Sequence, residues 1–433
     1  MLNTGQFSGV HHTHYPVQTP AMPRSQQVAW QDAKINSLPD HVLVDIFSAL
    51  AFSSDESRLY APDTVSHVSS RWRAAALGAS SLWTLIVVTF PVAAGQIARA
   101  KAALARSRDR PIDVHIDLRD PDWTWESDED QHQMKPVSVV EIMQWLGRSH
   151  LRWRSLTVLT DTWAPMHTFL AYSTMFSSLP KLEQLSLNRC NAFAGLPDAP
   201  DPVPSDSVEL FGGNAHLPNL RHVALAGVHV NYSCTGFRDL LSLDLRHQPR
   251  KVSPTIRQLR QLLHASPGLQ SLSLVALNSH SDEIGQDDGP AVSLTHLTGL
   301  TLGWWFVEDA VELLDALRFP VVENLALEDI APTLVQHDFI ARDSTPILDT
   351  LVKMGNRPHD TASSTSFPSS LRRLTINGVL LRPAAFSQFI PFLANLEELE
   401  LKSVQPDLAQ AVGHNKGIDR EGSLVASVIL KLR

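Results

Sequence analysis

The chain has only two cysteines, Cys190 and Cys234, in 433 residues. That scarcity excludes a disulfide-stapled secreted scaffold, and it excludes a cysteine-built zinc fold, whose paired sites need several thiolates. The N-terminus shows no basic start followed by an apolar core, so no secretory signal is read there. A reducing compartment, cytoplasmic or nuclear, is expected. Long apolar runs are also missing. Residues 74–98 hold no charge over 25 positions, but Gly78, Ser80, Ser81, Thr84, Thr89, Pro91, Gly95 and Gln96 interrupt them. The segment therefore reads as a buried strand over 82–90 and a following helix, not as a membrane span. Basic residues are in deficit, at a net charge of −9, which gives no general attraction to nucleic acid. Arg99, Lys101, Arg106, Arg108 and Arg110 form the one basic cluster near a helix. Asp120, Asp122, Glu126, Asp128, Glu129 and Asp130 follow it, and the cluster reads as a solvated helix face.

Motifs of catalysis are lacking too. The sequence has no glycine-rich loop ending in Gly-Lys-Ser/Thr, no G-x-G-x-x-G after a strand, no His-Glu-x-x-His and no G-x-S-x-G. Cys190, at a predicted strand end, reads as a buried turn residue and not as a thioester nucleophile. His222 and Asp244 fall on neighbouring predicted strands, but no serine or cysteine is placed to complete a nucleophilic set. His11, His12 and His14 lack acidic or thiolate company and read as a polar tail. The expectation is a non-enzyme with no cofactor and no metal.

What is present begins after a leader of 33 residues, rich in His, Pro, Gln and Thr, that offers too little apolar surface to offset its ordering entropy. Ser37 can cap a helix with Pro39 in its first turn. Val42, Leu43, Ile46, Phe47 and Leu50 then make one apolar stripe. A second helix over 62–77 carries Val65, Val68, Trp72 and Ala76 at spacings of three and four. Two or three helices in some fifty residues make a thin core, so an apolar face is expected to be covered, by the rest of the chain or by another protein.

Four features of this segment occur in order: Leu38-Pro39, Leu43-x-x-Ile46-Phe47, Arg71-Trp72-Arg73 and Leu82-Trp83. In this it resembles the F-box, a helical module that docks substrate receptors onto the Skp-type adaptor of cullin ubiquitin ligases. His41 stands where the family often has an acid, and Ser69-Ser70 where it often has a cysteine. The resemblance implies a domain over 34–90. It also implies adaptor contacts drawn from Leu38, Pro39, Leu43, Ile46, Phe47, Val65, Val68, Trp72, Leu82 and Trp83, several of which must instead hold the module's own core.

Beyond it lies a repeat. The pattern apolar-x-x-Leu-x-apolar occurs at Trp153/Leu156/Val158, Leu182/Leu185/Leu187, Leu220/Val223/Leu225, Leu240/Leu243/Leu245 and Leu269/Leu272/Leu274. It returns at Leu297/Leu300/Leu302, Val322/Leu325/Leu327, Leu371/Leu374/Ile376 and Leu396/Leu399/Leu401. The starts are 29, 38, 20, 29, 28, 25, 49 and 25 residues apart, with loop-like insertions at 196–207 and 361–370 in the long gaps. The last two apolar residues of each copy point inward from a short strand. Helical stretches such as 168–179, 255–265, 307–317 and 383–393 lie between copies. Two earlier units, 94–118 and 137–159, keep the same rhythm.

Strand, turn and helix, repeated, predict an α/β fold: an irregular solenoid over 91–433 with a parallel sheet on one wall and helices on the other. This part resembles the leucine-rich repeats of fungal F-box proteins. It departs from them in lacking the asparagine or cysteine that ends a standard repeat strand, except at Cys190.

Alternation leaves a polar, mixed-charge face that includes Asp244, Arg246, Glu328 and Arg373, with small residues Ser271, Ser273, Gly299, Thr301 and Ala326 at its centre. Trp304 and Trp305, after Gly303 at a strand end, are expected either as rim anchors for a target protein or as filling of the next turn. The resemblance implies a substrate-recognition subunit of a cullin ligase, with a Skp-type adaptor, a cullin bound through it, and a protein target. No nucleic acid or membrane partner is expected. The alternative is a protein-binding scaffold in which the helical module only caps the first repeat.

Overall fold

The computed structural model describes residues 34–51, 60–124, 127, 131–190, 208–249, 252–277, 289–331, 342–355, 367, 369–405, 408 and 425–431. The leader and the insertion at 196–207 lie outside them, as does most of 361–370. The chain divides into two compact units, Met1–Leu82 and Trp83–Arg433.

In the first unit, a 3-10 turn at Lys34–Ser37 precedes α1 (Asp40–Ala51), α2 (Ala61–Ser66) and α3 (Ser70–Gly78). α1 starts at Asp40, three residues after the expected cap Ser37, and the Leu43 N–H donates to the Pro39 carbonyl at 3.1 Å. The single second helix expected over 62–77 is two helices. The break falls at His67–Ser69 because Ser69 takes extended backbone and its hydroxyl accepts the Trp72 N–H at 3.1 Å, an N-cap that starts α3 afresh. Leu43, Phe47, Ala51, Val65 and Ala76 are buried and form the core. The Phe47 and Trp72 rings meet at 4.9 Å between α1 and α3. Arg71 ties the start of α3 to the approach to α1, through Asp40 Oδ1 at 2.8 Å and the Leu38 carbonyl. Both charged ends of that ion pair are exposed, so it adds little stability.

The second unit runs β1 (Leu85–Thr89), α4 (Ala94–Arg106), β2 (Ile112–Asp117), α5 (Pro136–Leu146), β3 (Trp153–Thr160), α6 (Trp163–Ser173), β4 (Gln184–Arg189), β5 (His222–Ala226) and β6 (Ser242–Arg246). It continues with α7 (Ile256–His264), β7 (Ser271–Val275), β8 (Val292–Ser293), β9 (Gly299–Trp304), α8 (Val307–Asp315), β10 (Leu317–Arg318) and β11 (Asn324–Asp329). α9 (Thr345–Gly355), β12 (Arg373–Asn377), α10 (Pro383–Phe389), β13 (Glu398–Val404) and β14 (Val425–Lys431) complete it.

Twelve of these strands form one sheet in chain order. Eleven are parallel and β14 lies antiparallel to β13, while β8 and β10 pair separately. The fold is α/β and solenoid-like. β1 pairs in register with β2, so the helical module ends before the expected residue 90. Trp83 also belongs to this unit, its ring under the Arg106 guanidinium at 4.3 Å.

The register explains why the repeat leucines recur. Leu156, Leu185, Val223, Leu243, Leu272, Leu300, Leu325, Leu374 and Leu399 are aligned across the sheet. Val158, Leu187, Leu225, Leu245, Leu274, Leu302, Leu327, Ile376 and Leu401 form a second row two residues on. Every one of these side chains is buried. A slip of one residue would turn a whole row to solvent, which fixes the stacking.

Between β4 and β6 the described residues of the connections form 3-10 turns, at Leu210–Gly212 and Tyr232–Cys234. Helices α4 to α10 line the other connections between parallel strands, except that between β7 and β9, whose described residues hold the short strand β8. α7 is the best specified: Thr255 and Gln258 form a reciprocal capping box, and Ile256, Leu259, Leu262 and Leu263 are buried. α6 starts five residues before the expected 168, because Trp163, Met166, Phe169 and Leu170 already supply a buried stripe.

Candidate interaction surfaces

The helical module sorts the ten expected docking residues by burial. Leu43, Phe47, Val65, Leu82 and Trp83 are buried, Phe47 at 2% exposure, and their place is in the core. These five are the members of the set that hold a core, as expected for several of the ten, so contacts for a partner are left to the others. Ile46 at 42% and Val68 at 45% are exposed, Pro39 is exposed, and Leu38 and Trp72 are half-buried. Leu50 at 42%, Tyr60 and Leu77 add exposed apolar surface that was not singled out as a site. Leu50 continues the α1 stripe and could have been included. Tyr60 and Leu77 carry no periodic signal.

On the sheet, the side chains between the buried rows point to the opposite face, most of them half-buried or exposed and Ser273 buried. Arg246 is exposed and its Nε lies 2.7 Å from Asp244 Oδ1. Glu328 is half-buried and accepts a hydrogen bond from Asn377 Nδ2 at 2.8 Å. Burial pushes its carboxyl above the usual range, while that bond and the charges of Arg246 and Lys402 pull it back. Arg373 is exposed, its Nε 3.7 Å from Glu398 Oε2, and Lys402 Nζ is 2.9 Å from Glu400. Register places Ser271 and Gly299, then Ser273, Thr301 and Ala326, between the two charged groups. The middle of this face is thus lined by small side chains with charges on either side.

Trp304 and Trp305 do not belong to it. Each is 1% exposed, so neither is a rim anchor. Trp305 packs with Val275, Ala276, Ile330 and Ala331, with Phe306 against them. A Cβ at Gly303 would come within 2.9 Å of Val275 Cγ1 and 3.1 Å of Ile330 Cδ1. Gly303 is therefore what lets this cluster close over the strand ends. Trp163 is also buried, stacked on His229 at 4.1 Å.

His222 is exposed and registers with Ser242 instead of Asp244, so the two do not face each other across the ladder. Cys190 is exposed, not the buried turn residue expected. Partial desolvation of its sulfur raises the thiol pKa against the opposing pull of Arg119, so the group stays a thiol near neutral pH. A pairing invisible in the sequence lies nearby. Asp161 Oδ2 accepts the Asp120 N–H at 2.7 Å and lies 3.2 Å from His132 Nε2, while His132 Nδ1 accepts the Met134 N–H at 3.1 Å. With Nδ1 acting as acceptor, the ring N–H lies on Nε2 and donates to Asp161. Their job is to pin the segment between β2 and α5.

Among the described residues no group of His, Cys, Asp and Glu is arranged to hold a metal, and no helix is long and apolar enough to cross a membrane. No protein-family model matches the chain, and no curated protein matches it.

Proposed function

We propose that this protein is a substrate receptor of a cullin-type ubiquitin ligase. Its helical module, read as an F-box, docks a Skp-type adaptor, and its solenoid, read as leucine-rich repeats, holds a target protein on the solvent face of the sheet. The observation that carries the reading is the division of labour in the module: Leu43, Phe47 and Val65 fill the core while Ile46, Leu50 and Val68 stay exposed beside them. Exposed apolar side chains grouped beside so small a core are what a partner surface would cover. The receptor transfers nothing itself. Its contribution is effective concentration, holding a target near ubiquitin activated elsewhere in the assembly.

Co-purification of the full chain with a recombinant Skp-type adaptor tests this. Ile46→Ala, Leu50→Ala and Val68→Ala together abolish capture while the chain stays folded. Phe47→Ala is unsuitable as a probe because it opens the core. Capture that survives the triple change favours the scaffold reading, in which the module serves only as a cap.

A further inference from the structure

We propose that the groove between α4 and α5, on the helical side of the solenoid, docks an acidic amphipathic helix from a partner protein. β1, β2 and β3 are consecutive parallel strands, so α4 and α5, which connect them, run side by side in one direction. α4 turns Ala94 and Ala98 toward its neighbour, side chains too short to fill the space. A groove of about 770 Å³ remains, floored by Ile97, Ile142 and Trp145.

Its electrostatics pick the occupant. At the C-terminal end of the groove Lys101 Nζ lies 5.7 Å from the centre of the Trp145 ring, and Arg148 stands one turn beyond. Neither cation has an ion-pair partner among the described residues. Glu141, one turn before Trp145, is the single acid among the described residues lining the groove. An occupant with carboxylates beside Lys101 and Arg148, and none beside Glu141, matches this polarity. From Ala94 to Lys101 the wall is roughly 10 Å long at 1.5 Å per residue, two helical turns. That length and an apolar floor between two parallel helices suit a third helix laid along them by its apolar stripe. The groove's lining shares no residue with the candidate contacts of α1 or of the polar sheet face, so the proposal stands whether or not the receptor reading holds.

The test uses the full chain and two labelled 15-residue helical peptides with leucine at i, i+3, i+4 and i+7, one with glutamate at the remaining positions and one with lysine. Fluorescence anisotropy reads binding. The glutamate peptide binds saturably and more weakly as salt rises. Lys101→Glu with Arg148→Glu weakens it by about tenfold or more and brings in the lysine peptide. Ala98→Trp, a change at an exposed helix position, fills the groove and removes both. Equal binding of the two peptides, or binding indifferent to Ala98→Trp, overturns the proposal. So does failure of the glutamate peptide to bind where phosphatidylserine vesicles do, an outcome that assigns the groove to a lipid surface. Adaptor capture by the same variants is unchanged, which keeps the two readings distinguishable.

Discussion

Asp329 is the residue whose removal should stabilise the protein. It ends β11 at 3% exposure, and its Oδ1 accepts the Ala331 N–H at 3.1 Å. Burial pushes its carboxyl up from 3.8 to about 6, against the opposing effects of that hydrogen bond and of Arg342. A raised carboxylate is a cost to the folded state once ionised. The folded chain holds the proton more tightly than the unfolded one, so stability falls as pH rises from about 4 to about 6, and above that the full penalty applies. The shift corresponds to about 3 kcal/mol, an upper figure because neighbouring groups relax, and about 1–3 kcal/mol is expected. Asp329→Asn keeps the acceptor for Ala331 and deletes the charge. Urea unfolding of both proteins at intervals from pH 4 to pH 7.5 is the assay. The variant is more stable at pH 7, the difference shrinks through pH 6 to 5, and the two curves meet near pH 4. A variant less stable at pH 7, or a gap independent of pH, would refute the assignment of the penalty to ionisation.

Other outcomes follow from the packing. Gly303→Ala places a methyl 2.9 Å from Val275 Cγ1 and should cost about 1–3 kcal/mol of overpacking, read by denaturant midpoint. Leu245→Ala, in a fully buried row, should cost about 2–5 kcal/mol, against little for the neighbouring Arg246→Ala, which is exposed. Joint substitution of Asp244, Arg246, Glu328 and Arg373 by alanine should abolish target capture, compared by mass spectrometry of recovered partners, with the folding transition kept. Recovery of the same partners would place the target elsewhere.

The sheet was legible because its signal is redundant. Leu185 alone says little, but nine copies of one spacing can be satisfied together only by aligned inward rows, and the ladder aligns them residue for residue. The helical module was legible in its elements and less so in its faces. A stripe such as Leu43, Ile46, Phe47 and Leu50 spans about a hundred degrees of helix, and sequence does not say which edge meets α3. The phenyl ring of Phe47 went to Trp72 and Ile46 stayed outside. The break between α2 and α3 carries no proline or glycine, and only the cap at Ser69 marks it.

Strict alternation misled at the end of β9. There the chain turns inward, so Trp304 and Trp305 are both buried, and Gly303, which reads as an ordinary glycine before them, is the residue that makes room. His132 and Asp161 are 29 positions apart and have no shared periodicity. The groove between α4 and α5 shows in sequence only as alanines on a basic helix, the same cluster that reads there as a solvated face.

Titration of the full chain with a purified Skp-type adaptor, followed by calorimetry at several temperatures, tests the central claim most directly. Ile46, Leu50 and Val68 keep somewhat under half of their surface exposed. Burying the remainder contributes about 1 kcal/mol each, so their replacement by alanine should raise Kd by about 100-fold. The account predicts a one-to-one complex with a negative heat-capacity change that is weakened by about 100-fold in the triple variant. No heat of binding from the intact chain, or equal affinity in the variant, would contradict it.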